Sequence, residues 1–321
     1  MMNKVAFLYP GQGSQYIGMG KWLYDNYIEA REVFEQASDA LKFDLCELCF
    51  RGSKEELSKT QNTQPAVLAV GIAATKVLQK EFPIEPAFLA GHSLGEYTAL
   101  TVAGALDFED AIKLVRLRGK LMQEAVNGET GVMSAINGVE SELVQAVCKE
   151  ISGDTSVVEV SNYNSNEQIV IAGHREAVER VEEKLGRYGA RVIRLKVSAP
   201  FHCSLMKPAA DKMEEALSQI HYKKLNYPVI SNVTAVPYVN ETNMKKLLLA
   251  QMTRAVEWSK TMHFIYSNNI DLVIDLGPGE VVKNLWKRNY SNIKSFSFEK
   301  NLENIIHREE SKNRGGIHHG N

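Results

Sequence analysis

Residues 87–90 form a short apolar run that stops at Gly91-His92-Ser93-Leu94-Gly95, and a helical pattern over 96–104 follows at once. A G-x-S-x-G pattern between strand and helix demands a sharp turn that holds the serine in a strained conformation, with its hydroxyl projecting over the end of a sheet. Glycines two residues to either side let the neighbouring backbone pass without a Cβ clash. The helix that starts after Ser93 aims its N-terminal N–H groups at the same point, which favours an oxyanion. The N–H of Leu94 is the expected donor to it. The feature therefore calls for a parallel α/β sheet with a serine nucleophile, with an ordinary glycine-rich turn as the alternative.

A serine hydroxyl is a weak nucleophile until a base takes its proton. His92 adjoins Ser93 but points elsewhere in such a turn, so its reading is support of the turn. His202, within Ser198-Ala199-Pro200-Phe201-His202-Cys203, is the candidate base, with a purely structural histidine as the alternative. His174, His221, His263 and His307 have no comparable surroundings. Cys203 is a rival nucleophile, but adjacent residues rarely face each other as a dyad, and it reads as a small packing residue.

Strands are expected at 5–9, 87–90, 229–231 and 271–276, and helices at 20–41, 65–80, 96–104, 108–126, 204–219, 244–251 and 280–288. Asp107 is placed to cap the helix at 108–126. Between these lies a block with its own order: strand 132–136, helix 141–151, strands 157–163 and 168–172, helix 175–188, strand 191–197. That β-α-β-β-α-β order is the ferredoxin-like unit. Strands feeding helices elsewhere argue for a parallel sheet. The expected class is thus α/β: a large parallel-sheet domain at 1–128 and 199–303, an inserted ferredoxin-like domain at 129–198, and a polar, disordered tail at 304–321.

With 321 residues, 44% apolar and 24% charged, the chain can bury a full core without disulfides or metal. A net charge of −2 argues against a nucleic-acid partner. The apolar N-terminal stretch is too short for a signal peptide, and the apolar stretch from Pro65 is broken by Lys76, so neither export nor a membrane is expected and the reading is cytoplasmic. Of four cysteines, Cys46 and Cys49 form one C-x-x-C without a second pair at metal-site spacing; two buried helical thiols are the simpler reading. His318-His319 in the tail lacks partner spacing.

Six ordered segments together resemble one family. They are Tyr9-Pro10-Gly11-Gln12-Gly13-Ser14-Gln15 with Gly18-Met19-Gly20, Thr63-Gln64-Pro65-Ala66, Gly91-His92-Ser93-Leu94-Gly95-Glu96-Tyr97, Arg118-Gly119-Lys120-Leu121-Met122, Ala199-Pro200-Phe201-His202 and Asp275-Leu276-Gly277-Pro278-Gly279. This set is similar to the malonyl-CoA:acyl carrier protein transacylases, which include the stand-alone enzyme of fatty-acid synthesis and trans-acting polyketide acyltransferases. The resemblance implies a hydrolase-like α/β domain with a ferredoxin-like insertion. It implies Ser93 as the acylated residue and His202 as its base, oriented by a carbonyl from a loop around Gln251. Gln12 would share the oxyanion hole with Leu94. Arg118 would pair with the free malonate carboxylate, because a planar guanidinium gives two parallel bonds to a carboxylate and lysine cannot. Without the family, Arg118 reads as a surface charge beside Arg116 and Lys120.

Phe201 would exclude a branch at the substrate Cα, and one methyl is worth only about 1–3 kcal/mol. Met122 belongs to the same expected substrate pocket. Asn162 and Asn164 match a pocket-lining segment, with a turn or strand-end role as the alternative. The resemblance further implies malonyl-CoA as substrate, no bound metal or redox cofactor, an acyl carrier protein as partner and a monomer. Arg191, Arg194 and Lys196, or Lys283, Lys287 and Arg288, are candidate docking cations, with solvated faces as the alternative. A serine hydrolase and a catalytically silent carrier-binding scaffold are the rival functions.

Overall fold

The computed structural model describes residues 4–126 and 131–301. In chain order the elements are β1 (Val5–Tyr9), α1 (Lys21–Asn26), α2 (Ile28–Leu41), α3 (Leu45–Phe50), α4 (Lys54–Ser58), α5 (Thr60–Glu81), β2 (Pro86–Gly91), α6 (Leu94–Val102) and α7 (Phe108–Glu124). There follow β3 (Gly131–Asn137), α8 (Ser141–Ile151), β4 (Val158–Ser165), β5 (Gln168–His174), α9 (Arg175–Gly186) and β6 (Arg191–Arg194). A short 3₁₀ turn (Ser204–Met206) then leads to α10 (Lys207–Gln219), β7 (Val229–Ile230), α11 (Thr242–Thr253), α12 (Trp258–Ser267), β8 (Leu272–Asp275), α13 (Val281–Asn289) and β9 (Lys294–Ser297).

Two sheets result. The first has the order β7-β2-β1-β8-β9, and all of its pairings are parallel. Its central strand β1, VAFLY, is buried at every position, as a strand covered on both faces must be. Alternate residues feed two cores: Phe7 and Tyr9 face the large helical cluster, while Ala6 and Leu8 pack with Trp258, Met262 and Trp286. The second sheet, β4-β5-β3-β6, is antiparallel, and α8 and α9 cover one face of it. Its order and connections are those of the ferredoxin-like unit. The join expected at 128/129 and the tail at 304–321 lie outside the described residues.

Several local expectations need correction. The helix expected over 65–80 begins at Thr60, and Pro65 lies inside it. Its first turn is held from outside: the side chain of Gln123 accepts from the Thr60 N–H at 3.0 Å, and Thr63 Oγ1 donates to the Leu57 carbonyl at 2.6 Å. The single run 20–41 is two helices, broken at Tyr27, whose backbone is extended. Asp107 does hold the N-cap position of α7, but its side chain makes no cap bond and its carboxylate takes Lys223 Nζ at 2.5 Å instead. Cys49 is buried as expected, but Cys46 is half-buried. Helices α4 and α12 and strand β9 have no counterpart among the expected elements.

Candidate active site

Ser93 sits at the C-terminal end of β2, in the turn before α6, at φ 52° and ψ −105°. A side chain at such angles costs about 1–3 kcal/mol unless its surroundings dictate them. Here they do. Ser93 N–H donates to Asn232 Oδ1 at 2.7 Å, Asn232 Nδ2 donates to the Gly91 carbonyl at 2.7 Å, and Gln251 Nε2 donates to the Ser93 carbonyl at 2.8 Å. A Cβ on Gly91 would lie 1.8 Å from the Gly95 carbonyl carbon, and one on Gly95 would lie 2.2 Å from the Tyr9 carbonyl oxygen. Both glycines are therefore steric requirements of the turn.

Ser93 Oγ and His202 Nε2 are 2.6 Å apart, and His202 Nδ1 is 2.7 Å from the backbone carbonyl of Gln251. A carbonyl oxygen can only accept, so the proton is on Nδ1 and Nε2 presents its lone pair to the serine. The expected loop around Gln251 is the last turn of α11, where carbonyls have no helical partner and are free to take the imidazole. Burial first, then the charge of Arg118, pushes the His202 pKa down to about 3, so the ring is neutral and able to accept a proton.

Arg118 is 1% exposed, on the stripe of α7 that also buries Ala111, Val115 and Met122. It is not a surface charge. Its Nη1 donates to Gln64 Oε1 at 2.8 Å, and its Nη2 donates to Gln251 Oε1 at 2.9 Å and to Ser93 Oγ at 3.2 Å. The guanidinium lies 5.3 Å from the Tyr97 ring centre, and Nε makes no hydrogen bond among the described residues. A buried cation costs several kcal/mol unless paired. The arrangement thus holds, next to the Ser93 hydroxyl, a cation with no carboxylate in direct contact among the described residues and with an unused donor.

A cavity of about 420 Å³ opens over Ser93 and His202 between the two sheets. Gln12, Phe201 and Asn162 line it, as do His92, Asn164, Met133 and Arg288. Arg118, Leu94 and Met122 do not line it. Arg118 stands behind Ser93; Leu94 is buried as the first residue of α6; and Met122 lies a layer back, its sulfur 3.9 Å from Gln64 Nε2. The His92 side chain reaches away from the turn, with Nε2 2.8 Å from Asn164 Oδ1 of β4 and its ring edge-on to Trp258 of α12. Of the candidate docking cations, Arg194 is paired with Glu182 and Lys283 with Glu280, while Arg288 lies at the cavity.

Sequence reasoning missed Gln64, Glu96 and Asn232. Gln64 and Glu96 lie inside motifs already noted, but nothing in the pattern separates them from core-facing helix positions. Asn232 has no local signal at all.

The acyl transferase domain family matches residues 6–308. The malonyl CoA-acyl carrier protein transacylase of Bacillus subtilis is 45% identical over 295 residues, covering 92% of this chain and 74% of the relative. The malonyl CoA-acyl carrier protein transacylase structure from Clostridium perfringens superposes with a TM-score of 0.91 at 39% identity, covering 97% of this chain and 98% of that one. A second structure, a malonyl-transacylase in complex with its type II polyketide synthase acyl carrier protein, gives a TM-score of 0.89 at 41% identity, with 92% and 95% covered. A match that starts in β1 and runs past β9 takes in both sheets and every element that carries the site, and the chain belongs to the acyl transferase domain family.

Proposed function

We propose that the chain transfers a malonyl group from malonyl-CoA to the phosphopantetheine thiol of an acyl carrier protein, through a malonyl-Ser93 ester, in fatty-acid or polyketide biosynthesis. The observation that carries this reading is Arg118, a buried guanidinium 3.2 Å from the serine hydroxyl. A short acyl group on Ser93 that ends in a carboxylate meets that cation; a neutral acyl group leaves it unpaired in a dry site.

In the first half-reaction Ser93 Oγ attacks the thioester carbonyl and its proton moves to His202 Nε2. The Gln251 carbonyl, already bonded to Nδ1–H, stabilises the imidazolium that forms. The backbone N–H groups of Leu94 and Gln12 are the proposed donors to the oxyanion. The C–S bond breaks, His202 returns the proton to the departing thiolate, and coenzyme A leaves. In the second half the carrier thiol gives its proton to His202 and its sulfur attacks the ester, so Ser93 recovers its proton. Met133 and Phe201 crowd the acyl position, which suits an unbranched group. Arg288 places a cation at the cavity for the phosphate of either thioester.

Intact-protein mass tests the scheme. Mixing with malonyl-CoA should add one malonyl group, which persists in water and leaves when phosphopantetheinylated carrier protein is supplied. Ser93→Ala should show no adduct. A labelled Ser93→Ala protein sinks the nucleophile assignment, and an adduct lost to water alone makes the chain a hydrolase.

A further inference from the structure

Arg118 has no carboxylate in direct contact among the described residues, yet a carboxylate stands one amide away. Arg118 Nη2 donates to Gln251 Oε1 at 2.9 Å, and Gln251 Nε2 donates to Glu96 Oε2 at 2.5 Å. Glu96 is fully buried. Its other oxygen accepts from Tyr238 Oη at 2.6 Å and from the Asn232 N–H at 3.1 Å. The Glu96 carboxylate thus takes these donors and has no cation in direct contact among the described residues.

We infer that Glu96 is a positioning residue, the resident counter-anion of Arg118, acting across the side-chain amide of Gln251. An amide has two faces and can be turned either way. With Oε1 toward the guanidinium and Nε2 toward the carboxylate, both ends are satisfied. Turned over, the NH₂ group would face a cation and the oxygen an anion. The opposite charges at 118 and 96 thus fix one orientation. That orientation also supplies the 2.8 Å bond to the Ser93 carbonyl, which holds the strained nucleophile. The same residue's backbone orients His202, so Gln251 ties together acid, cation, serine and base.

The inference rests on the reading that Arg118 receives the substrate carboxylate, and it adds a consequence. A bound malonyl group brings a second anion to one buried cation. Glu96 then becomes the surplus charge, and it can be removed by one proton from solvent. Its pKa is already raised to about 7 by burial, against the lowering effect of hydrogen bonds from Tyr238, Asn232, Gln251 and Ser231. The titratable groups that face it are Tyr97 on its own helix, Tyr238 after β7 and Arg118 on α7; burial raises both tyrosines, so neither titrates near neutrality. Anionic Glu96 opposes malonyl binding. Malonyl-CoA affinity should therefore be greatest below about pH 7 and weaken above it, by up to roughly tenfold per pH unit until Glu96 also ionises in the complex.

The test is single-turnover acylation by malonyl-CoA, followed by intact mass from pH 6 to pH 9. In the wild type the half-saturating malonyl-CoA concentration should rise at least several-fold across that range. In Glu96→Gln it should stay flat, near the wild-type value at pH 6. Tyr238→Phe, which removes one donor from the carboxylate, should move the inflection to higher pH while keeping it. A flat wild-type profile, or a wild-type inflection surviving in Glu96→Gln, overturns the proposal; if that variant fails to fold, an unmoved inflection in Tyr238→Phe does so. Arg118→Ala separates the two readings. If it leaves half-saturation unchanged, the carboxylate assignment falls; if it raises half-saturation while the pH profile is flat, only the role of Glu96 falls.

Discussion

At Ser93 and His202 the backbone takes φ values of 52° and 58°, angles that side chains with a Cβ avoid. The strain brings an oxygen and a nitrogen to 2.6 Å, and buried amides hold it in place. Two predictions belong to this scale. His202 has a pKa near 3, so its base form is present far below the usual histidine range. The limiting acylation rate at saturating malonyl-CoA should then stay level as pH falls from 8 to 5. An unperturbed histidine would be half-protonated at about pH 6.5, and a loss of rate centred there would contradict the buried, neutral imidazole. Arg118 carries the second prediction. Removing one partner of a buried charge pair costs about 2–5 kcal/mol, so Arg118→Ala should lower kcat/KM for malonyl-CoA by roughly a hundredfold or more. Arg118→Lys should recover little, since one ammonium cannot reach Gln64, Gln251 and a carboxylate together.

Helix α5 is buried on almost every side, and it brings Gln64 to Arg118. Its N-terminal end meets α7 at Gly119, where a Cβ would lie 2.5 Å from the Thr60 carbonyl oxygen. Gly119→Ala should push the helices apart and misplace Arg118 one residue away. The expected result is a melting temperature lowered by several degrees, corresponding to about 1–3 kcal/mol, together with a raised malonyl-CoA KM. An unchanged KM with a lowered melting temperature would mean that the packing matters to stability alone. Element ends matter as much as element faces. The carbonyl of Gln251, in the last turn of α11, takes the imidazole of His202, and α6 begins at the residue after Ser93, so its first N–H groups start at the site.

The two sheets meet at the cavity over Ser93. Strand β4 makes a parallel bridge to Val256, with Tyr163 N–H donating to the Val256 carbonyl and Val256 N–H donating to the Ser161 carbonyl, both at 2.9 Å. Ser204 N–H donates to Glu159 at 2.7 Å, and Asn164 meets His92 beside Ser93. These bonds hold the antiparallel sheet as a wall of the cavity. Asn164→Ala removes one of them and leaves His92 without its partner. It should cost about 1 kcal/mol of stability and speed hydrogen exchange in β4 more than in β1. Equal protection of β4 in wild type and variant would show that the Val256 bridge alone sets the wall.

The sequence alone determined the class of the fold and the turn at Ser93; it offered His202 as a candidate base beside a structural alternative, and the 109 positions between the two were closed only by the fold. Strand and helix periods, glycines at forced turns and the chemistry of a nucleophile are local, so local pattern reveals them. It also singled out Arg118, though only through a family resemblance, because one charge beside Arg116 and Lys120 looks like any solvated helix face. Tertiary structure decided what surrounds them. Asn232 reaches Ser93 across 139 positions, Gln251 joins Arg118 across 133, and Glu96 meets Gln251 across 155. Polar bonds over such separations leave no period in the chain. Whether a buried glutamine or glutamate is core filling or part of a charge network is set by what the packed fold brings opposite it.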